Sequence, residues 1–394
     1  MRIGIVSYNF YPSIGGGATF AALLSGALSR NAVDVEVIAP LCSRDAELAE
    51  SFARSTRLKI HWVVSDRARG YSDYFSRAIF FLKMVRRIQR LSTSVDLFHA
   101  HEFHIGFLSA LCGSTKPVLG TFGADPLYEM FFFGRERNKP YADFVKSVGV
   151  RMLSLLFRWV IGFLSRGKDV ALVSYTDESF HRRMAGRYFH GKIHHIPLAV
   201  PPELFDIPGC RRSGGGGTIL FSSRLVSWKR VDVALAVFSK LREKRKDLRL
   251  IVLGTGPRAD LVGNERQRQA GINHVPSCRH DEIGNYLAQA TVFIAPSDYE
   301  TFGTSVLEAM AAGVPIVAAN LDVYRDRLVH GENAFLVTGD SVREYCDHIE
   351  VLLDDPSLRK RFSSRTRERA RSFELNRVAE RYMDVYRQMV PSQS

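Results

Sequence analysis

The chain has 394 residues, 46% hydrophobic and 24% charged, which excludes disordered and fibrous classes and, at roughly 100 to 200 residues per domain, predicts two domains with a cleft between them. Its five cysteines (Cys42, Cys112, Cys210, Cys278 and Cys346) are odd in number and lack a C-x-x-C pair, so they fit neither a disulfide framework nor a zinc site and point to a reducing compartment. A formal charge of +13 favours anionic partners, and without a zinc-finger, RNP-type or KH-type pattern nucleic acid ranks behind phosphate-bearing small molecules and anionic membranes.

The first apolar run, Met1 to Ser7, is too short for a signal peptide, and no uninterrupted apolar stretch of transmembrane length follows. The expected location is cytoplasmic. Strand-like runs recur at Ile3 to Val6, Val35 to Ile38, Leu97 to Ala100, Val118 to Gly120 and Val170 to Ser174, with helical segments between them, which predicts a parallel sheet covered on both faces. After the first run, Gly15, Gly16 and Gly17 precede the helical stretch ATFAALLSGALS. Backbone can approach a phosphate or sugar there, although most glycine loops are simply turns.

In FFLKMVRRIQRL, Lys83, Arg86, Arg87 and Arg90 fall on one helical face; this is either a membrane-facing helix or a solvated basic face whose other side is buried. Phe131 to Phe133 beside Arg135 and Arg137, and the run VRMLSLLFRWVIGFLSRGK, carry the same two readings. The segment DLFHAHEFHIGFLSAL places His99, His101 and His104 at a strand end. Strand periodicity puts His99 and His101 on one side, and without further Cys or His support no metal is expected there.

A Pro- and Gly-rich passage from Ile196 to Gly217 suits an inter-domain connection. The alternation then restarts with runs at 218–223, 248–254, 290–296 and 315–320 and the helical candidate VDVALAVFSKLREK. A second doubly wound lobe follows, and in such sheets ligands sit beyond the carboxyl ends of the strands.

The passage ATVFIAPSDYETFGTSVLEAMAAGVPIVAAN reads as strand, loop, helix, strand, the helix starting near Thr304 or Ser305 and stopping at Gly313. A helix N-terminus behind Gly303 is a seat for phosphate. Glu300 and Glu308 flank it, and carboxylates there can grip the hydroxyls of a sugar and a ribose. The competing reading makes Ser305-x-x-Glu308 a capping box. In FSSRLVSWKRVD, Arg224 and Lys229 flank a short loop before a helix; they are either surface basics or a pair of cations neutralising a leaving diphosphate without a metal. There is no Asp-x-Asp pair. Gly254-Thr-Gly-Pro-Arg-Ala259 matches a dinucleotide fingerprint weakly, and Pro257 removes a donor from its turn.

From Glu300 to Pro315 the chain resembles the donor signature of retaining GT-B glycosyltransferases of family 4 (glycosyl transferases group 1), Glu-x-Phe-Gly-(x)4-Glu-Ala-Met-Ala-x-Gly-x-Pro. The loop around Arg224, Leu225 and Lys229 is similar to the family's Gly-Arg-Leu-(x)3-Lys, with Ser223 in place of Gly, and YPSIGGGATFAALLSGALS resembles its opening loop. The resemblance implies two Rossmann-like lobes facing a central cleft, residues 1–199 on the acceptor side and 200–376 on the donor side. Residues 377–394 would form a helix crossing back to the first lobe.

The resemblance further implies that Glu300 faces the transferred sugar, Glu308 holds the ribose, and amides around Gly303 and Thr304 meet the diphosphate. Arg224 and Lys229 would bind that diphosphate, Gly16 and Gly17 would approach the donor, and His101 would contact sugar or acceptor, with Glu102 and His104 as second candidates. Phe122 before Gly123 and Pro197-Leu198-Ala199 depart from the family's Thr-x-His-Gly and Pro-Asn-Gly, putting acceptor contacts and hinge geometry in doubt. The expected reaction is metal-independent, cofactor-free transfer from a UDP- or GDP-type sugar to a saccharide or lipid-linked acceptor. The enzyme is expected to be cytoplasmic, peripheral on the inner face of the cell membrane, and not to bind nucleic acid. A nucleotide-sugar epimerase or a non-catalytic sugar-nucleotide-binding relative is the alternative.

Overall fold

In the computed structural model, the described residues are 1–7, 10, 16–31, 33–41, 46–56, 58–64, 74–101, 105–122, 159–160, 162–175, 189, 191–208, 216–264 and 268–390. The chain forms two compact units, Met1–Ala199 with Leu375–Ser394, and Val200–Glu374.

The first unit is built on strands β1 (Arg2–Ser7), β2 (Asp34–Leu41), β3 (Lys59–Val64), β4 (Leu97–His101), β5 (Val118–Phe122), β6 (Val170–Ser174) and β7 (Ile193–His195), with helices α1 (Gly16–Arg30), α2 (Ala46–Thr56), α3 (Tyr74–Leu91) and α4 (Ile105–Gly113). The sheet is parallel, in the order β3-β2-β1-β4-β5-β6-β7. Strands covered on both faces read as continuous apolar runs, and Val170–Ser174 is buried throughout. α3 turns Phe80, Met84 and Ile88 inward and leaves Lys83, Arg86, Arg90 and Leu82 exposed, so most of its basic residues lie on an exposed face over a buried one.

The second unit repeats the plan with β8 (Thr218–Ser222), α5 (Val231–Lys244), β9 (Arg249–Leu253), β10 (Ile272–Val275), α6 (Ile283–Gln289), β11 (Val292–Ala295), α7 (Thr304–Ala311), β12 (Ile316–Ala319), β13 (Ala334–Val337), α8 (Val342–Asp354) and α9 (Pro356–Ala370). Its sheet runs β10-β9-β8-β11-β12-β13, again parallel. Ile219, Phe221, Val237, Leu250, Val292 and Ile349 centre the core.

The last helix, α10 (Leu375–Met389), belongs to the first unit and lies along α1. Where the chain enters the second unit, Val200 bridges Glu374, and its N–H donates to the Phe373 carbonyl at 2.9 Å. Among the described residues no helix is long and apolar enough to cross a membrane.

Both sheets reverse strand order once, at β1/β4 and at β8/β11. Ligands in open α/β sheets bind beyond the carboxyl ends of the strands at such a reversal. The sequence-predicted side chains cluster there: His101 closes β4, Arg224 and Lys229 follow β8, and Glu300 follows β11.

Candidate functional site

In the second unit, the loop after β11 carries Ser297, Glu300 and Gly303 into α7. Gly303 is the helix N-cap at φ 78, ψ 60, left-handed backbone that glycine adopts freely. A Cβ there would lie 2.7 Å from Tyr324 Cε1. Gly303→Ala is therefore expected to cost about 1–3 kcal/mol, read as a lowered Tm in thermal unfolding. With Gly303 as N-cap and no side-chain cap, Ser305-x-x-Glu308 is not a capping box. The first-turn amides remain open to an anion.

The Glu300 side chain is 7% exposed, accepts from Ser297 Oγ at 3.0 Å, and pairs with Lys229 Nζ at 2.5 Å. Lys229 comes from the short turn Ser227–Lys229 after β8. Asp298 N–H donates to the Trp228 carbonyl at 2.8 Å, fastening the two loops together. Arg224, on the same loop as Lys229, is exposed.

Glu308, beyond the first turn of α7, is 12% exposed, with His280 Nδ1 3.8 Å from its Oε1. Burial pushes its carboxyl up to about 8 and holds His280 below the ordinary histidine range. A buried carboxyl near neutrality both donates and accepts, a match for paired hydroxyls. A carboxyl whose folded pKa is raised stabilises the fold below its unfolded value and loses that contribution as pH rises toward the folded one. The Glu308 contribution should thus fall between about pH 4.5 and 8, read as the difference in stability between wild type and Glu308→Gln in denaturation curves across the range.

Behind the loop, Arg327 is 1% exposed. Its Nη2 donates to the carbonyls of Phe302 and Val323, and its guanidinium lies 4.1 Å from the centre of the Phe302 ring. Sequence reasoning passed over Arg327 and His280, which sit in no charge pattern or motif and gain their roles only from packing; Ser297 lay inside the recognised passage without a role of its own. The dinucleotide alternative fails: a Cβ on Gly254 would lie 1.9 Å from the Ser223 carbonyl, so this turn packs against its neighbouring loop. It leads into the three-residue turn Ala259–Leu261 rather than an α-helix that would seat a pyrophosphate.

In the first unit, Gly16 and Gly17 open α1, while residues 11–15 lie outside the described residues. His99 and His101 share one face of β4, ring centroids 4.3 Å apart. His99 is committed structurally: Nδ1 bonds Tyr386 Oη at 2.6 Å, Nε2 bonds Thr121 Oγ1, and Tyr382 stacks on the ring at 5.1 Å. His101 is 1% exposed, meets Phe20 edge-on at 5.7 Å, and its Nε2 has no hydrogen-bond partner among the described residues. Burial lowers its pKa to about 3, so the imidazole is neutral at physiological pH. Glu102, His104, and the segment with Phe131 to Phe133, Arg135 and Arg137 lie outside the described residues. Among the described residues no His, Cys, Asp and Glu cluster is placed to hold a metal ion.

Two parallel sheets, each reversing order at the loops that carry these side chains, define a two-lobed α/β protein of the GT-B class. Within that class the chain belongs to the group 1 glycosyltransferases: residues 211–369 match the family model "Glycosyl transferases group 1" and residues 14–204 match "Glycosyltransferase Family 4". It is 26% identical to phosphatidyl-myo-inositol mannosyltransferase of Mycobacterium leprae over 100% of this chain and 98% of that protein. It is 30% identical to 2-deoxystreptamine N-acetyl-D-glucosaminyltransferase of Niallia circulans over 55% of each. The chain spans about half the length of the first curated relatives it matches. The fold is similar to HepE of Anabaena, solved with UDP and glucose, at TM-score 0.71 and 16% identity over 98% of this chain and 100% of that one.

Proposed function

We propose that this protein is a retaining, metal-independent glycosyltransferase that moves a sugar from a nucleotide-diphosphate sugar, such as a UDP- or GDP-sugar, to an acceptor hydroxyl. The observation that carries the reading is the nearly buried Lys229–Glu300 pair at the β8/β11 reversal, beside the amides of Gly303 and Thr304. An incoming diphosphate exchanges with Glu300 for Lys229, and Arg224 adds a second cation. Glu300 orients the sugar and Glu308 holds the ribose. His101 serves the sugar or acceptor, with Gly16 and Gly17 as further donor contacts and Glu102 and His104 as acceptor-side candidates.

In front-face transfer, the bond from the anomeric carbon to the diphosphate oxygen breaks and its electron pair stays on the diphosphate. The acceptor oxygen bonds the same face and passes its proton to a diphosphate oxygen. The protein supplies charge stabilisation and orientation, and no side chain acts as nucleophile. The relatives named above are transferases, which favours transfer over epimerisation.

The acceptor in this reading is lipid-linked, at an anionic membrane surface on the cytoplasmic side, in keeping with the mannosyltransferase named for a phosphatidyl-inositol acceptor. Trp159 and Phe163 stack on each other at 5.7 Å while 55% and 56% exposed. A cavity of about 550 Å³ is lined by Gly162 and Ser165 of the same segment together with Arg166, Lys192 and His194. Exposed aromatics beside cations suit a headgroup interface. Binding to anionic liposomes should weaken as salt rises; co-sedimentation indifferent to anionic lipid content would overturn the membrane reading.

The donor reading is tested by calorimetry against UDP, GDP, ADP, their sugar conjugates and NAD, with Glu308→Ala as control. Binding of one nucleotide sugar, unaffected by chelator and lost in the variant, is the expected result. Stabilisation by NAD alone would refute it.

A further inference from the structure

Among the described residues, Arg230 is the one non-glycine residue with a positive φ, at φ 54, ψ 47. It directly follows Lys229 and forms the N-cap of α5, where capping residues ordinarily hold extended backbone. Its N–H donates to the Ser227 carbonyl at 3.1 Å, closing the turn that presents Lys229. Glycine would hold this turn without strain, so what the arginine adds is its side chain.

That side chain engages three carboxylates. Nε donates to Asp232 at 3.2 Å, and Nη1 reaches Asp298 and Asp340, each at 2.9 Å. The three come from different places: Asp232 from the first turn of α5, Asp298 from the loop after β11 two residues before Glu300, and Asp340 from the loop after β13. The Arg230 side chain is 20% exposed, and one planar fork shared among three acids is a network rather than an isolated surface pair. Strained backbone persists where its surroundings over-determine it, and here it coincides with the junction of two loops that carry site side chains.

We propose that Arg230 is a positioning residue for the diphosphate end of the donor pocket: its left-handed turn aims Lys229 at Glu300, and its guanidinium ties the Lys229 loop to the Glu300 loop through Asp298 and to the β13 loop through Asp340. The proposal rests on the donor reading above. Glu308 and its ribose lie outside this tie, so the contribution is confined to the phosphate beyond the first and to the sugar.

The test uses the full chain with Arg230→Gly, which keeps the turn and removes the guanidinium, and Arg230→Lys, which keeps one charge. Calorimetry measures UDP, GDP and ADP against UMP, GMP and AMP, and hydrogen exchange follows peptides over residues 224–230 and 297–304. Arg230→Gly should weaken the preferred diphosphate about tenfold while its monophosphate stays within about twofold, with Arg230→Lys between wild type and Arg230→Gly. Exchange should quicken in those two peptides and in the loop around Asp340, and not elsewhere in the unit.

An unchanged ratio of diphosphate to monophosphate affinity would overturn the proposal. So would an equal loss of both with exchange raised throughout the unit, which marks a merely structural role. If wild type binds none of the six nucleotides, the donor reading fails, and exchange then decides the tie alone: local acceleration supports it and unchanged rates refute it.

Discussion

Replacing Lys229 by alanine is expected to lower kcat for sugar transfer by about a hundred- to a thousandfold, the usual cost of one preorganised charge at a developing anion. Two effects meet at this residue. In the proposed reaction, negative charge grows on the diphosphate as the bond to the sugar breaks, and Lys229, presented by the turn after β8, is the cation proposed to meet it. In the free protein the same ammonium is the counterion of Glu300, whose side chain is 7% exposed. A nearly buried carboxylate left alone is strongly destabilising, by about 3–5 kcal/mol for fully buried pairs, so Lys229→Ala should also lower the denaturation midpoint. The double variant Lys229→Met/Glu300→Gln separates the two effects, because it removes both charges. Stability should return toward wild type in chemical denaturation while steady-state turnover stays lost. Full activity in Lys229→Ala would remove the residue from the mechanism.

Deleting Leu375–Ser394 should unfold the first unit and leave the second folded. α10 buries Leu375, Val378, Tyr382, Tyr386 and Met389, among others. At about 1.5–3 kcal/mol per fully buried large apolar side chain, the sum reaches the ~5–15 kcal/mol that holds a whole domain. The deletion also strips His99 of its bond to Tyr386 and its stacking on Tyr382, leaving buried polar edges in the sheet unsatisfied. Hydrogen exchange should show β1, β4 and β5 unprotected and β8, β9 and β11 protected. Native protection of β4 in the truncated chain would contradict this account of the packing.

The central strands were legible because burial on both faces writes an uninterrupted apolar run; Val170–Ser174 matches its predicted limits. The four strands that escaped, β3, β7, β10 and β13, are the edges of the two sheets. An edge strand is short or admits polar residues, as in KIHWVV, IHH and INHV, so its pattern fades into the surrounding loops. The strand-loop-helix passage around Glu300 and Gly303 was legible for a similar reason: backbone geometry at a helix start demands particular residues at fixed spacing. Arg327 shows the opposite case. Either arginine of DVYRDRLVHG, Arg325 or Arg327, reads as a surface charge, and only the folded packing of Phe302, Tyr324 and Phe373 around Arg327 makes that one a buried clamp. His99 and His101 were indistinguishable by spacing because the partners that separate them, Thr121 and Tyr386, come from distant parts of the chain.

The assignment of α10 to the first unit also orders events during synthesis. The second unit, Val200–Glu374, is one unbroken stretch and can finish folding once it has emerged. The first unit, begun earlier, has to wait: until Leu375–Met389 has left the ribosome, Phe20 and His99 lack Tyr382 packed against them. The nascent chain thus carries a completed second unit attached to an unfinished first one, and of the two the one begun earlier is the last to close.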